Sequence, residues 1–236
     1  NYSVNRMIKR LPISNPETIP QIKELFNKYN GPHKVIINRN KQNLGIANHV
    51  NKAMSMAKGE LFIMAAGDDI ACINKTTEFY REWIKSPNHI MALCSSYYEI
   101  DNSNKMLNLK QPNSIIGIDT RNKYSIIKEN EWFGCSAAYN PLMFDIVGNL
   151  YLDTEEDKPL FRKAVIVGKI SRIKKPLTYY RITSGISSYN DCNMLKIISH
   201  KKKLLNGIKN SIRDINKIIK GNSFIYDKQL ITALYF

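Results

Sequence analysis

The run Leu61-Phe62-Ile63-Met64-Ala65-Ala66 is the longest uninterrupted apolar stretch in the chain, and Gly67-Asp68-Asp69 ends it abruptly. It is far short of the ~20 residues of a membrane span and suits a strand buried on both faces. Ahead of it, Ile46, Val50, Ala53, Met54 and Ala57 recur at helical spacing, and Gly59 stands where a helix stops. Before that helix, Lys34-Val35-Ile36-Ile37-Asn38 reads as another buried strand. Strand, helix and strand joined by short connections define an α/β chain, with a mixed, mostly parallel sheet flanked by helices. The two aspartates then fall at the edge where such folds bind ligands.

Other elements follow from the same patterns. Residues 1–16 show no period. Ile19, Ile22, Leu25, Phe26 and Tyr29 predict a helix over 17–29, closed by Gly31-Pro32. Further helices are predicted over 76–85, 141–147 and 156–167. Strands are predicted over 89–100 and 132–139, and as a short pair, 169–173 and 177–181. Residues 105–130 read as a polar, irregular loop. The hydrophobic fraction, 43% of 236 residues, excludes a disordered chain and supports one core. Cys72, Cys94, Cys135 and Cys192 share no metal-ligand spacing and are too scattered for a disulfide scaffold. With no apolar leader in the given sequence, a soluble, cytoplasmic protein is expected.

The net charge of +15 fits an anionic partner or a solvated lysine surface. Residues 191–236 hold nine Lys/Arg and three Asp on an amphipathic helical pattern. They are read as a basic C-terminal extension of a domain spanning 1–190. Such a helix either packs with its lysines in solvent or lies on an anionic membrane surface. There is no zinc spacing, aromatic RNA-binding pair or helix-turn-helix pattern, so no nucleic-acid partner is expected.

Paired carboxylates past a strand suit Mg²⁺ or Mn²⁺, which take one or two carboxylates plus substrate phosphates. The same pair also suits turn and cap duty. Asn43-x-Gly45 at a helix start offers backbone N–H groups to an anion, or is an ordinary turn. Glu156-Asp157 opens a helix, where acids favour the dipole, and either could also serve as a base.

Taken together, Asn43-x-Gly45, Asn51, Ala57-Lys58-Gly59-Glu60 and Gly67-Asp68-Asp69 resemble the signature of glycosyltransferase family 2. Trp132-Phe133-Gly134-Cys135-Ser136, the Glu156-Asp157 pair, Arg162-Lys163-Ala164 with Gly168, and Tyr180-Arg181 resemble its second half. The likeness covers about residues 17–188. It implies a GT-A (Rossmann-like) fold, a nucleoside-diphosphate-sugar donor, UDP- ahead of GDP- or dTDP-, and Mn²⁺ or Mg²⁺. It implies metal on Asp69, donor contacts from Asp68, and Asp157 as the base that deprotonates the acceptor. Asn43, Gly45, Asn51, Gly134, Ser136, Glu156 and Arg181 join them as substrate-binding candidates. The acceptor would be a glycan or lipid-linked sugar, and the anomeric centre would invert.

Two positions depart from the family: Ala66 stands where an Asp is common, and Thr183 where a His is common. The opening landmarks leave only faint traces in Val4-Asn5-Arg6 and Ser14-Asn15-Pro16-Glu17-Thr18. A nucleotidyltransferase, a binding-only relative and a basic nucleic-acid binder are the competing readings.

Overall fold

The computed structural model describes residues 6–9, 18–112, 114–129, 131–152, 154–182 and 194–220. Along the chain run β1 (Arg6–Lys9), α1 (Thr18–Asn27), α2 (Gly45–Met56), β2 (Phe62–Ala66), β3 (Ile70–Ala71) and α3 (Lys75–Trp83). Then come β4 (Ile90–Ile100), β5 (Met106–Lys110), β6 (Gly117–Ile118), α4 (Lys123–Glu129) and a one-turn 3₁₀ helix, Gly134–Ser136. The rest is β7 (Ala137–Tyr139), α5 (Leu142–Val147), α6 (Asp157–Val167), β8 (Lys169–Arg181) and α7 (Met194–Lys220).

Among the described residues one eight-stranded sheet has the order β1-β2-β7-β4-β8-β3, with β5 on β4 and β6 on β8. The α/β class and the mixed sheet agree with the sequence reading, but the parallel share is smaller. Only β1–β2 and β4–β8 are parallel; the other five pairings are antiparallel. The reason lies in β7 and in the short β3, β5 and β6, none of which enters through a parallel crossover.

Period-two alternation splits the core between the two faces. On β2, Phe62 and Met64 face a cluster with Ala47, Val50 and Met54 of α2 and Phe161 of α6. Leu61 and Ile63 face the other side, against Phe79 and Trp83 of α3. One face thus carries α2, α4, α5, α6 and α7, and the other α3.

Several local expectations need correction. Residues 34–38 form no strand, and Val35, Ile36 and Ile37 are exposed. They pair with no strand among the described residues, although β1 ends the sheet and is paired there on one side only. Residues 105–130 are not a bare loop but hold β5, β6 and α4. β5 is an edge strand exposed along its whole length, so it shows no alternation to read. Arg6–Lys9 forms a strand paired in parallel with β2, in a stretch with no legible period. The short pair of strands at 169–181 is one strand, β8, whose register on β4 shifts between Ile173 and Pro176. Thr183 and the opening traces before Thr18, except Arg6, lie outside the described residues.

Two buried ion pairs tie the periphery to this frame. Arg172 on β8 donates Nη1 to Asp119 Oδ2 at 2.6 Å, both side chains fully buried. Burial alone would push the Asp119 carboxyl up, but hydrogen bonds from Arg121 and Arg172 hold it below the ordinary range. On the other side, Lys163 of α6 meets Asp214 of α7 at 2.7 Å, each 2% exposed. Tyr151 donates its hydroxyl to the same carboxylate at 2.9 Å. Among the described residues no helix is long and apolar enough to cross a membrane.

Candidate active site

β2 ends at Ala66, and exposed Gly67 lets the chain turn so that Asp68 and Asp69 sit half-buried at the sheet edge. The last residue of β8 fixes their loop. The Arg181 N–H donates to Asp69 Oδ1 at 3.0 Å, and its Nε donates to the Asp68 carbonyl at 3.1 Å. The same guanidinium reaches the Asp101 carbonyl and, at 2.5 Å, Asn104 Oδ1. Arg181 therefore straps the aspartate loop to the turn between β4 and β5.

The second carboxylate group comes from α6. Glu156 is its buried N-cap residue and Asp157 lies in its first turn, which favours negative charge. Asp157 Oδ1 accepts the Lys158 N–H at 2.7 Å. The 3₁₀ turn after Phe133 presses its backbone onto this side chain. A Cβ built on Gly134 would lie 2.5 Å from Asp157 Cβ and 3.0 Å from its Oδ2. Glycine is required here for close approach rather than for an unusual φ. The segment is anchored on α6 by Trp132, which stacks on Phe161 at 4.9 Å and donates Nε1–H to Tyr139 Oη at 2.9 Å.

Cys135 connects the two groups. Burial pushes its thiol up, and the carboxylates of Asp69 and Asp157 add to that, against Lys75. Beside this thiol Tyr97 packs edge-on against Phe133, with centroids 5.0 Å apart, and against Tyr180 at 5.5 Å. Burial raises the Tyr97 hydroxyl, with Cys135, Glu99, Tyr180 and Asp69 adding.

The remaining candidates serve this frame. Ser136 is fully buried, with Oγ 2.5 Å from Ser95 Oγ and accepting from Thr178 Oγ1 at 2.8 Å. Asn51 clamps the main chain of Leu150, donating Nδ2 to its carbonyl at 2.8 Å and accepting its N–H at 2.9 Å. It so holds the start of the loop that leads to Glu156. Asn43 Oδ1 accepts the Gly45 N–H at 2.9 Å, and Gly45 takes φ +70°, which glycine tolerates without strain. Both stand exposed at the start of α2, and neither bonds a carboxylate of the site.

Sequence reasoning missed Lys75. Its ammonium is buried under the aspartate loop, donating to the Met64 carbonyl at 3.0 Å and to Thr178 Oγ1 at 2.9 Å. A lysine at the first position of a helix opposes the dipole, and that anomaly was the available signal.

No group of three or more His, Cys, Asp or Glu suited to a metal occurs among the described residues. Asp69, with Asp68 beside it, offers oxygen donors only. That fits Mg²⁺ or Mn²⁺ completed by phosphate oxygens rather than a cation held by protein alone.

The arrangement is a mixed sheet with two carboxylates at its edge and two more at the start of α6. Residues 14–147 match the model for glycosyl transferase family 2, more than half of the chain, and the chain belongs to that family. Its fold is similar to that of S. aureus TarS 1-349 in complex with UDP-GlcNAc. The TM-score is 0.55 at 14% identity, over 93% of this chain and 68% of that one. It is also similar to the mannosyltransferase PcManGT from Pyrobaculum calidifontis in complex with GDP-Man and Mn²⁺. There the TM-score is 0.54 at 13% identity, over 94% of this chain and 61% of that one. Another TarS structure gives a TM-score of 0.58 at 14% identity, and this chain spans 35% of it. No curated protein sequence matches the chain.

Proposed function

We propose that the protein is an inverting glycosyltransferase that moves a sugar from a nucleoside-diphosphate donor to a hydroxyl of a glycan or lipid-linked sugar. The observation that carries this reading is the Gly134–Ser136 turn, which abuts Asp157 at Gly134 and is linked from Ser136 through Thr178 to Lys75, bonded in turn to β2 just ahead of the aspartates. It gives one cleft a carboxylate for the diphosphate side and another for the acceptor side.

In this reading Asp157 is the general base. A sugar hydroxyl is a poor nucleophile at neutral pH, and a placed carboxylate takes its proton as it attacks the anomeric carbon. Attack from the face opposite the nucleotide inverts that centre. Asp69 would hold the divalent cation, and Asp68 would contact the donor. When bound, Mn²⁺ or Mg²⁺ neutralises charge on the departing nucleotide. Arg181 keeps the aspartate loop in place through the bonds described above, and Glu156 sets the start of α6. Asn43 and Gly45 offer the α2 N-terminus to the donor. The solved complexes with UDP-GlcNAc and GDP-Man support a nucleotide-sugar donor, and UDP- is the first to test. We place the work at the cytoplasmic face of a membrane, in the synthesis of a surface polysaccharide.

A transfer assay over UDP-, GDP- and dTDP-sugars with Mn²⁺ tests this directly. One donor should release its nucleotide in an acceptor-dependent manner. The Gly134→Ala variant should lose at least about tenfold of that rate, because its methyl displaces the Asp157 carboxylate and misplaced reacting groups cost rate steeply. Its melting temperature should also fall, because the clash is with the Asp157 Cβ rather than the free end of the side chain, so nucleotide affinity is compared on the folded variant and should stay near wild type. Unchanged transfer in Gly134→Ala would remove Asp157 from the chemistry.

A further inference from the structure

Helix α7 has two unlike faces. Gly207, Asn210, Ser211, Asp214 and Ile215 are buried against the body of the fold, and the Lys163–Asp214 pair locks them there. On the opposite side Ile198, Lys202, Leu205 and Lys209 recur at the i, i+4, i+7, i+11 spacing that keeps residues on one stripe. All four are exposed, and Ile198 and Leu205 are 55% and 58% accessible. Lys201 and Lys203 stand exposed on the same turn. The only acid in the sequence of α7 is Asp214, which is turned inward.

The placement of the helix relates this stripe to the cleft. A Cβ on Gly207 would lie 3.8 Å from Pro159, two residues after Asp157 in the first turn of α6. The part of α7 before Gly207, starting at Met194, continues for ~20 Å past that contact. Two apolar side chains set among lysines, with no acid between them, complement an anionic surface with an apolar layer beneath it. They do not complement a second copy of the same stripe, whose lysines would repel.

We propose that this outer stripe of α7 docks the protein on an anionic phospholipid surface. The lysines engage the headgroups, and Ile198 and Leu205 enter the interface. The inference extends the lipid-linked acceptor proposed above to the surface presenting it. Docking is measured without donor or transfer, so the two readings fail separately.

The test is co-sedimentation of the full chain with vesicles of phosphatidylcholine alone and of phosphatidylcholine with phosphatidylglycerol. The protein should pellet with the anionic vesicles only, and added salt should release it. The pair Lys202→Glu and Lys209→Glu should weaken binding at least about thirtyfold, since each lysine near such a surface contributes about fivefold. Leu205→Ser should weaken it severalfold at unchanged charge. All three positions are exposed, so melting temperatures should not move. Reversing Lys169 and Lys174, exposed on β8, should leave binding nearly intact. Equal pelleting with both vesicle types would overturn the proposal, as would equal losses from the β8 and α7 reversals. A dimer in light scattering that Leu205→Ser dissociates would assign the stripe to self-association and overturn it too.

Discussion

Replacing Asp157 by Asn should lower transfer by about a hundredfold to ten-thousandfold, the range a positioned general base contributes, and leave nucleotide binding close to wild type. Asparagine keeps the shape of the side chain, so Gly134 still packs against it and its oxygen can still accept the Lys158 N–H. What is lost is the capacity to take a proton. A steady-state assay together with nucleotide titration separates the two effects. A fall in kcat at constant donor affinity assigns proton transfer to Asp157. A variant within about tenfold of wild type would mean that another group does this work.

The second large effect is on stability. Asp214→Ala should destabilise the protein by about 3–5 kcal/mol, because it leaves the Lys163 ammonium charged and without its partner in a site closed to water. Burial already draws Lys163 below the usual lysine range, with Asp214 working against that shift. The carboxyl of Asp214 is raised by its own burial, against Lys163 and Tyr151. The pair is thus costly to bury and more costly to break. Removing both charges together, as Lys163→Met with Asp214→Leu, should recover most of the loss. Denaturant melts of the three variants measure this. Equal destabilisation by the single and the double replacement would show that apolar packing, rather than the ion pair, holds α7 to α6.

The legibility of this chain in its sequence differed by region. Helix α2 and strand β2 were readable because burial on one face or both writes a strong period, in Val50 and Met54 for the helix and in Leu61 to Met64 for the strand. The glycines and carboxylates at their ends then marked the candidate site. The run at 34–38 misled because an apolar, β-branched segment reports only that burial would be favourable. Whether it pairs with an edge is decided elsewhere in the chain. β5 was invisible for the opposite reason, since an edge strand exposed on both faces carries no alternation. Ser136 was legible as a motif position but not as a buried link in the Lys75–Thr178–Ser136–Ser95 chain, which spans four separate elements. Lys163 and Asp214, 51 positions apart, likewise look like two surface charges until α7 folds back over α6.

In the proposed reading Asp68–Asp69 and Asp157 line one cleft that binds a nucleoside diphosphate with a divalent cation. Isothermal titration of UDP and GDP, with and without Mn²⁺, on wild type and Asp69→Ala tests it most directly. One nucleotide should bind wild type only when Mn²⁺ is present, and Asp69→Ala should abolish this binding without unfolding the protein. Binding that ignores the metal, or that survives in Asp69→Ala, would contradict it.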